Sequence, residues 1–207
     1  MSETALEILK SVGAVLDGDH FVGTSGKHFD TYINKDALYP HTEESSKIGK
    51  LFAEKYQDLD IDTVAAPALG GIILSQWTAY HLSKIKGKEI FGIYAEKKDG
   101  DLTFTRGYDK FIKGKKVLAI EDLTQTGGSL KKLIDSIKKF GGEVVEAGVM
   151  VNKAPKNIDS EFYGAPFSAL SEMTVEMHSA ENCPLCKNQT PINTTVGHGK
   201  KFIESKK

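Results

Sequence analysis

The chain has 207 residues, 40% apolar and 27% charged, and its 27 basic side chains against 28 acidic ones leave a formal charge of −1 at neutral pH. A chain of this kind buries a core, and at roughly 100–200 residues per domain it should form one main domain with at most a small appendage. The balanced charge supplies no basic field for a nucleic-acid backbone, so no nucleic-acid partner is expected. No apolar run approaches the roughly 20 residues that span a bilayer, and MSETALEILKSVG carries acids where a secretory leader wants bases. The expectation is a cytoplasmic protein with no membrane partner. Its two cysteines, Cys183 and Cys186, sit too close together to staple a fold of this size, which agrees with a reducing compartment.

In chain order, residues 4–16 place Ala5, Leu6, Leu9, Val12 and Leu16 at helical spacing, with Gly18 as a stop, and predict an opening amphipathic helix. Residues 20–40 alternate β-formers with Ser, Gly and Asp and predict a short hairpin, or hood, ahead of the core. A second helix should begin at Thr42 and run to about Tyr56, its first turn carrying Glu43 and Glu44 where the helix dipole favours acids. DIDTVAAPALGG reads as a buried strand ending in a glycine turn, IILSQWTAYHLSKI as a helix and EIFGIYAE as the next strand. Residues 97–115 are polar and glycine-punctuated, and a connection of that length in a compact domain is usually functional. KVLAIED predicts a strand, SLKKLIDSIKKF a helix and EVVEAGVMVN a strand. Repeated strand–helix–strand units imply an α/β fold with a mostly parallel central sheet flanked by helices. From about Phe167 this rhythm is lost, so residues 1–170 are expected to form the domain, including a hood over about 1–40, and residues 171–207 a C-terminal extension.

The stretch richest in chemistry is VLAIEDLTQTGGSL, residues 117–130. A buried strand would deliver Glu121 and Asp122 to the carboxyl end of the sheet, where open α/β folds bind ligands. Residues 124–129 then offer hydroxyls, small side chains and free N–H groups at a helix start, a cradle suited to a phosphate monoester. Two carboxylates would repel a bare anion, so they should face sugar hydroxyls or a metal-bound group. A ribose 5-phosphate satisfies both demands. Neither a G-x-x-x-x-G-K-[ST] nor a G-x-G-x-x-G pattern is present.

VLAIEDLTQTGGSL resembles the phosphoribosyl-pyrophosphate (PRPP) signature of the type I phosphoribosyltransferases. TSGKHFDTYIN is similar to the base-site segment of the orotate phosphoribosyltransferases, VAAPALGGI to their pyrophosphate loop and AEKKDGDLTFTRGY to their mobile catalytic loop. The CPLC tail resembles one bacterial and archaeal branch, and the matches run in order from about residue 20 to 199. The resemblance implies transfer of a phosphoribosyl group from PRPP to orotate, with Mg²⁺ bound mainly through PRPP and pyrophosphate, in a homodimer that exchanges loops. It implies that Glu121 and Asp122 hold the ribose hydroxyls, that Thr124, Gln125, Thr126, Gly127, Gly128 and Ser129 bind the 5-phosphate, and that Ala68, Leu69, Gly70 and Gly71 meet the pyrophosphate. Lys97, Lys98 and Arg106 would come from the mobile loop, with Lys97, Lys98 and Asp122 counted as catalytic. Tyr32, Ile33, Asn34, Thr126 and Lys153 would border the orotate.

The chain departs from the enterobacterial pattern at Thr24 and Gly70, where that pattern has lysines, in a mobile loop without histidine, and at Lys153, which stands for an arginine. Lysine keeps the charge but loses the bidentate fork. A transferase for a purine or another base, and a PRPP-binding regulator without turnover, therefore stand beside the orotate reading. In the tail, Cys183 and Cys186 form half a zinc knuckle that His178 and His198 could complete, giving a structural Zn²⁺; packed, reduced thiols are the other reading.

Overall fold

The structure is a computed structural model describing residues 3–205. Helix α1 (Ala5–Ser11) opens at Thr4, whose hydroxyl accepts from the Glu7 amide while Glu7 reaches back to the Thr4 amide. It is shorter than the spacing predicted. Gly13, at φ 69°, turns the chain, and Val15 and Leu16 enter β1 (Val15–Val22), which pairs antiparallel with β2 (His28–Ile33) as the expected hairpin. Helix α2 (Thr42–Lys55) then leads to the buried β3 (Thr63–Pro67), α3 (Gly70–Lys86), β4 (Phe91–Lys98), β5 (Asp101–Thr103), β6 (Lys116–Thr124), α4 (Gly128–Lys139) and β7 (Glu143–Asn152). The short helix α5 (Ser160–Tyr163), β8 (Phe167–Glu172), α6 (Pro184–Lys187) and α7 (Gly199–Glu204) complete the described chain.

The main sheet runs β5-β4-β3-β6-β7-β8, parallel throughout except for the β4–β5 hairpin. One core cluster holds Ile48 and Phe52 of α2 and Leu74 of α3, the other Leu130, Leu133 and Ile134 of α4. The α/β class and parallel sheet are therefore as expected. Two local expectations are corrected. The expected open connection after β4 begins as an ordered hairpin, closed by Asp99 and Gly100, both with positive φ, between the paired Lys98 and Asp101. Its sequel is anchored by buried Phe104 and Ile112. Residues 167–172 are a further parallel strand at the sheet edge, and the half-buried run 167–171, ending in exposed Glu172, explains why no alternation marks them.

The tail beyond β8 runs back over the hairpin. The Asn193 amide donates to the His20 carbonyl at 2.8 Å and the His198 amide to the Val22 carbonyl at 2.8 Å, while His28 and His178 exchange backbone hydrogen bonds. These contacts set the hood and the tail beside Gln125 and Thr126 after β6 and Lys153 after β7.

Candidate active site

Strand β6 carries Glu121 and Asp122 to its carboxyl end, both almost fully buried. Asp122 Oδ1 accepts from the Leu123 amide at 2.7 Å. Its Oδ2 meets Lys35 Nζ at 2.7 Å and accepts from the Tyr39 hydroxyl at 3.1 Å. Burial alone would lower the Lys35 ammonium, but the charge and hydrogen bond of Asp122 outweigh it and hold the group above its ordinary value. Burial pushes the Glu121 carboxyl up to about 8, and the Asp122 charge adds to the rise; the Ser129 hydroxyl and the Asp122 amide pull the other way. Of the two acids, Asp122 is compensated by a cation, whereas burial and the Asp122 charge favour the protonated form of Glu121.

Directly after the acids, residues 124–127 turn into α4. Gly127 has φ 73°, and a Cβ there would strike the Phe162 ring, so both backbone and space require glycine. Thr124 is anchored by its hydroxyl to that of Tyr163 at 3.2 Å. The free amides at the start of α4 thus face the cleft beside the acid pair.

The glycine turn after β3 meets the same acids. Leu69 is 83% exposed, the Ala68–Leu69 peptide is cis, and α3 begins at Gly70. A Cβ on Gly70 would collide with Asp122 Oδ2 and lie 2.6 Å from Lys35 Nζ and 2.8 Å from the Tyr39 hydroxyl. Gly71 is equally tight, 2.6 Å from the Ala66 Cβ on the same test, which presses α3 against β3. The loop expected to meet pyrophosphate is therefore in van der Waals contact with Asp122, one of the acids expected to meet ribose.

The β4–β5 hairpin approaches from the other side. Lys97 lines a cleft of about 310 Å³ with Gly128, Ser129 and Lys132. Lys98 is exposed and does not line it. Arg106 forms a two-pronged ion pair with Glu96, with Nη2 2.9 Å from Oε1 and Nε 3.2 Å from Oε2, and does not reach the acids in this conformation.

A larger cavity of about 490 Å³ opens between the hood, the phosphate turn and the tail. Tyr32 and Phe29, stacked with 6.3 Å between ring centres, give it an apolar wall, and Lys27, Lys153, Gln125 and Thr126 give it polar edges. Burial pushes the Lys153 ammonium down, with the Asp122 charge opposing. Of the expected base contacts, Tyr32, Thr126 and Lys153 line this cavity, whereas Ile33 is buried in the core and Asn34 opens the following 3-10 turn. That placement corrects Ile33: at the end of β2 its side chain packs inward with the α1 and α2 core rather than into the cavity.

The expected zinc set is corrected too. His198 lines the large cavity, and the His178 ring lies 3.8 Å from Glu176, so neither joins the thiols. Instead His20 and His28 of the hairpin converge on Cys183 and Cys186, and the four ligand atoms lie within 4.8 Å of one another. Sequence reasoning missed these two histidines, and also Lys27, Lys35 and Tyr39. A lysine at the hairpin turn was a visible cue for Lys27; Lys35 and Tyr39 are more than 80 residues from Asp122 and carry no pattern.

Comparison with known proteins agrees with this geometry. A phosphoribosyl transferase domain matches residues 34–165. The chain is 35% identical to the orotate phosphoribosyltransferase of Caldanaerobacter subterraneus over 92% of its length and 94% of the relative's. It is likewise 35% identical to that of Thermotoga maritima, over 94% of this chain and 98% of the other. The crystal structure of Mycobacterium tuberculosis orotate phosphoribosyltransferase in complex with PRPP shares the fold at a TM-score of 0.61, with 21% identity over 82% of this chain and 96% of that one. Acid pair, phosphate turn and glycine loop thus stand in the fold of their family, and the chain belongs to the phosphoribosyltransferases, within the group of the orotate phosphoribosyltransferases.

Proposed function

We propose that this enzyme transfers the 5-phosphoribosyl group from PRPP to orotate, giving orotidine 5'-monophosphate and pyrophosphate in UMP biosynthesis. The observation that carries the reading is one juxtaposition: Asp122 of the acid pair abuts the glycine loop at Gly70, and the phosphate turn that follows the acids contributes Gln125 and Thr126 to a cavity edged by Lys27 and Lys153. Two ammonium groups beside a flat aromatic wall suit a planar base that carries a carboxylate.

The residues divide the work by charge. The amides and hydroxyls of residues 124–129 would hold the 5-phosphate, and the amides of residues 68–71 the pyrophosphate. Glu121 and Asp122 would accept from the ribose hydroxyls, and those donors favour the ionised form of Glu121. Positive charge that grows on the sugar as the anomeric bond breaks then faces two carboxylates, while Lys35 fixes the orientation of Asp122. Lys97 and Lys98, with Arg106 released from Glu96, would close over the leaving group and exclude water that would otherwise hydrolyse PRPP. The acids form an all-oxygen donor set, which suits Mg²⁺. One oxygen of Asp122 is already held by Lys35, so Glu121 and Asp122 would hold the ion chiefly through ribose and pyrophosphate oxygens. Mg²⁺ so bound supplies neutralisation of the departing pyrophosphate.

We read the enzyme as a cytoplasmic homodimer with loop exchange, in which Lys97 faces its own cleft and Lys98 of the same β4–β5 hairpin reaches the partner's; exposed Tyr80 and Ile85 on α3 and the outward Lys98 support this arrangement. Residues 1–170 would be the transferase body and 171–207 its extension, of which 1–2 and 206–207 lie outside the described residues.

The test is loss of orotate absorbance on addition of PRPP and Mg²⁺, with adenine, hypoxanthine, xanthine and uracil in parallel. Turnover with orotate alone is expected. Turnover with a purine instead, or PRPP binding without turnover on any base, overturns the reading.

A further inference from the structure

The group formed by His20, His28, Cys183 and Cys186 has no part in phosphoribosyl transfer as derived above. Its four side chains come from the two strands of the hood hairpin and from the tail, and His20, His28 and Cys183 are fully buried. His20 Nε2 lies 3.7 Å from both sulfurs, His28 Nδ1 lies 3.4 Å from the Cys186 sulfur, and the two ring nitrogens are 2.7 Å apart. Metal–nitrogen bonds of about 2.0 Å and metal–sulfur bonds of about 2.3 Å at tetrahedral angles put nitrogen and sulfur about 3.5 Å apart. Three nitrogen–sulfur edges already match, and the imidazole pair would have to open by roughly half an ångström.

Two further observations support a metal. The Thr190 carbonyl lies 2.8 Å from His20 Nδ1 and can only accept, so that nitrogen carries the proton and the Nε2 lone pair is turned into the group. A backbone carbonyl behind a ligating imidazole is the usual orienting partner of a metal site. The cysteines sit on a tight turn in which the Lys187 amide donates to the Cys183 carbonyl and the Gln189 amide to the Cys186 carbonyl. That turn aims both sulfurs the same way. Two thiolates and two neutral imidazoles around a divalent ion form a neutral unit, compatible with complete burial, and a closed set with no open position is structural rather than catalytic.

The geometry points to a structural Zn²⁺ held by His20, His28, Cys183 and Cys186, clamping the C-terminal tail onto the hood. The tail has little regular structure and few apolar anchors of its own, so a metal clamp supplies what its core cannot.

The experiment uses the full chain and zinc itself. Metal content is measured by mass spectrometry for the wild type, Cys186→Ser, His20→Ala and, as controls, His178→Ala and His198→Ala, each after equilibration with excess Zn²⁺ under reductant and dialysis. About one zinc per chain in the wild type and both controls, lost in the other two variants, is expected. A wild-type chain that retains no zinc while both thiols react freely, or zinc retained undiminished in every variant, overturns the assignment, as does stoichiometric iron or copper in its place. Should Cys186→Ser or His20→Ala fail to fold, Co²⁺ exchanged into the wild type reads the ligand set directly. Thiolate-to-cobalt charge transfer with tetrahedral d–d bands is the expected spectrum, and an octahedral spectrum without charge transfer sinks the site. None of these readouts depends on the substrate.

Discussion

Lys35 Nζ stands 2.7 Å from Asp122 Oδ2, and this contact makes a buried pair of adjacent acids tolerable. The lysine is about one-third exposed and the aspartate almost fully enclosed, so the pair lies at the mouth of the cleft. Removing the cation leaves the Asp122 carboxylate buried without a counter-charge beside the Glu121 carboxyl. Lys35→Met should therefore destabilise the ligand-free chain by about 1–3 kcal/mol, less than a fully buried pair would cost. Urea unfolding at neutral pH measures this, and an unchanged midpoint would show that the acids need no counter-charge.

Asp122→Asn preserves the size of the side chain and removes the charge proposed to face the sugar. Turnover should fall by roughly 10²-fold or more while the fold is retained, as when one preorganised electrostatic partner of a transition state is lost. Steady-state rates with circular dichroism as a control test it. Near-normal kcat would remove the ribose role.

The raised Glu121 carboxyl makes stability depend on pH in a defined direction. Its folded value of about 8 exceeds its ordinary 4.5, so its contribution is fully present below pH 4.5 and is lost as the pH rises through 8. Glu121→Gln should flatten that part of the stability curve, measured by denaturant unfolding across the window. Parallel curves for wild type and variant would mean that the group is already ionised in the empty site. Binding of PRPP near pH 7 should release a proton from the same carboxyl, seen as a buffer-dependent heat in calorimetry.

Lys27 and Lys153 edge the cavity assigned to the base, away from the glycine loop. Truncating either to Ala should raise the KM for orotate about 10-fold or more, the scale of a lost charge-assisted hydrogen bond, with the KM for PRPP little changed. Equal rises in both constants would place these lysines in general electrostatics and not in base recognition.

Gly70→Ala places a methyl group against Asp122, Lys35 and the Tyr39 hydroxyl at once. All three are held by one another, so the acid must shift, and PRPP affinity should fall about 10-fold or more while thermal stability changes little. Isothermal titration of PRPP, with Gly71→Ala as a comparison that strikes the β3 backbone region instead, distinguishes this from a packing defect.

The acid pair and phosphate turn were legible in the sequence because strand, turn and helix start are consecutive there, and local patterning states their relation. The same holds for α2, β7 and the hood hairpin. Strand β8 was not legible, since residues 167–171 are half-buried at a sheet edge and show neither alternation nor an apolar run. The β4–β5 turn was missed although Asp99-Gly100 is a hairpin signal, because its strand β5 has only three residues. Lys35 and the two hairpin histidines came to their partners through packing alone, and no spacing in the chain encodes a contact 87 or 166 positions away.

The acids, phosphate turn and glycine loop come from a continuous middle portion of the chain, whereas the cavity for the base borrows Lys27, Phe29 and Tyr32 from one end and Met177 and His198 from the other. On the proposed reading, the acceptor cavity adds both flanks of the chain to a middle portion, Gln125, Thr126 and Lys153, that it shares with or borrows from the donor half. Substitutions in the hood or the tail would then reshape the acceptor cavity while leaving the glycine loop, the acids and the phosphate turn unaltered, a short mutational route between bases.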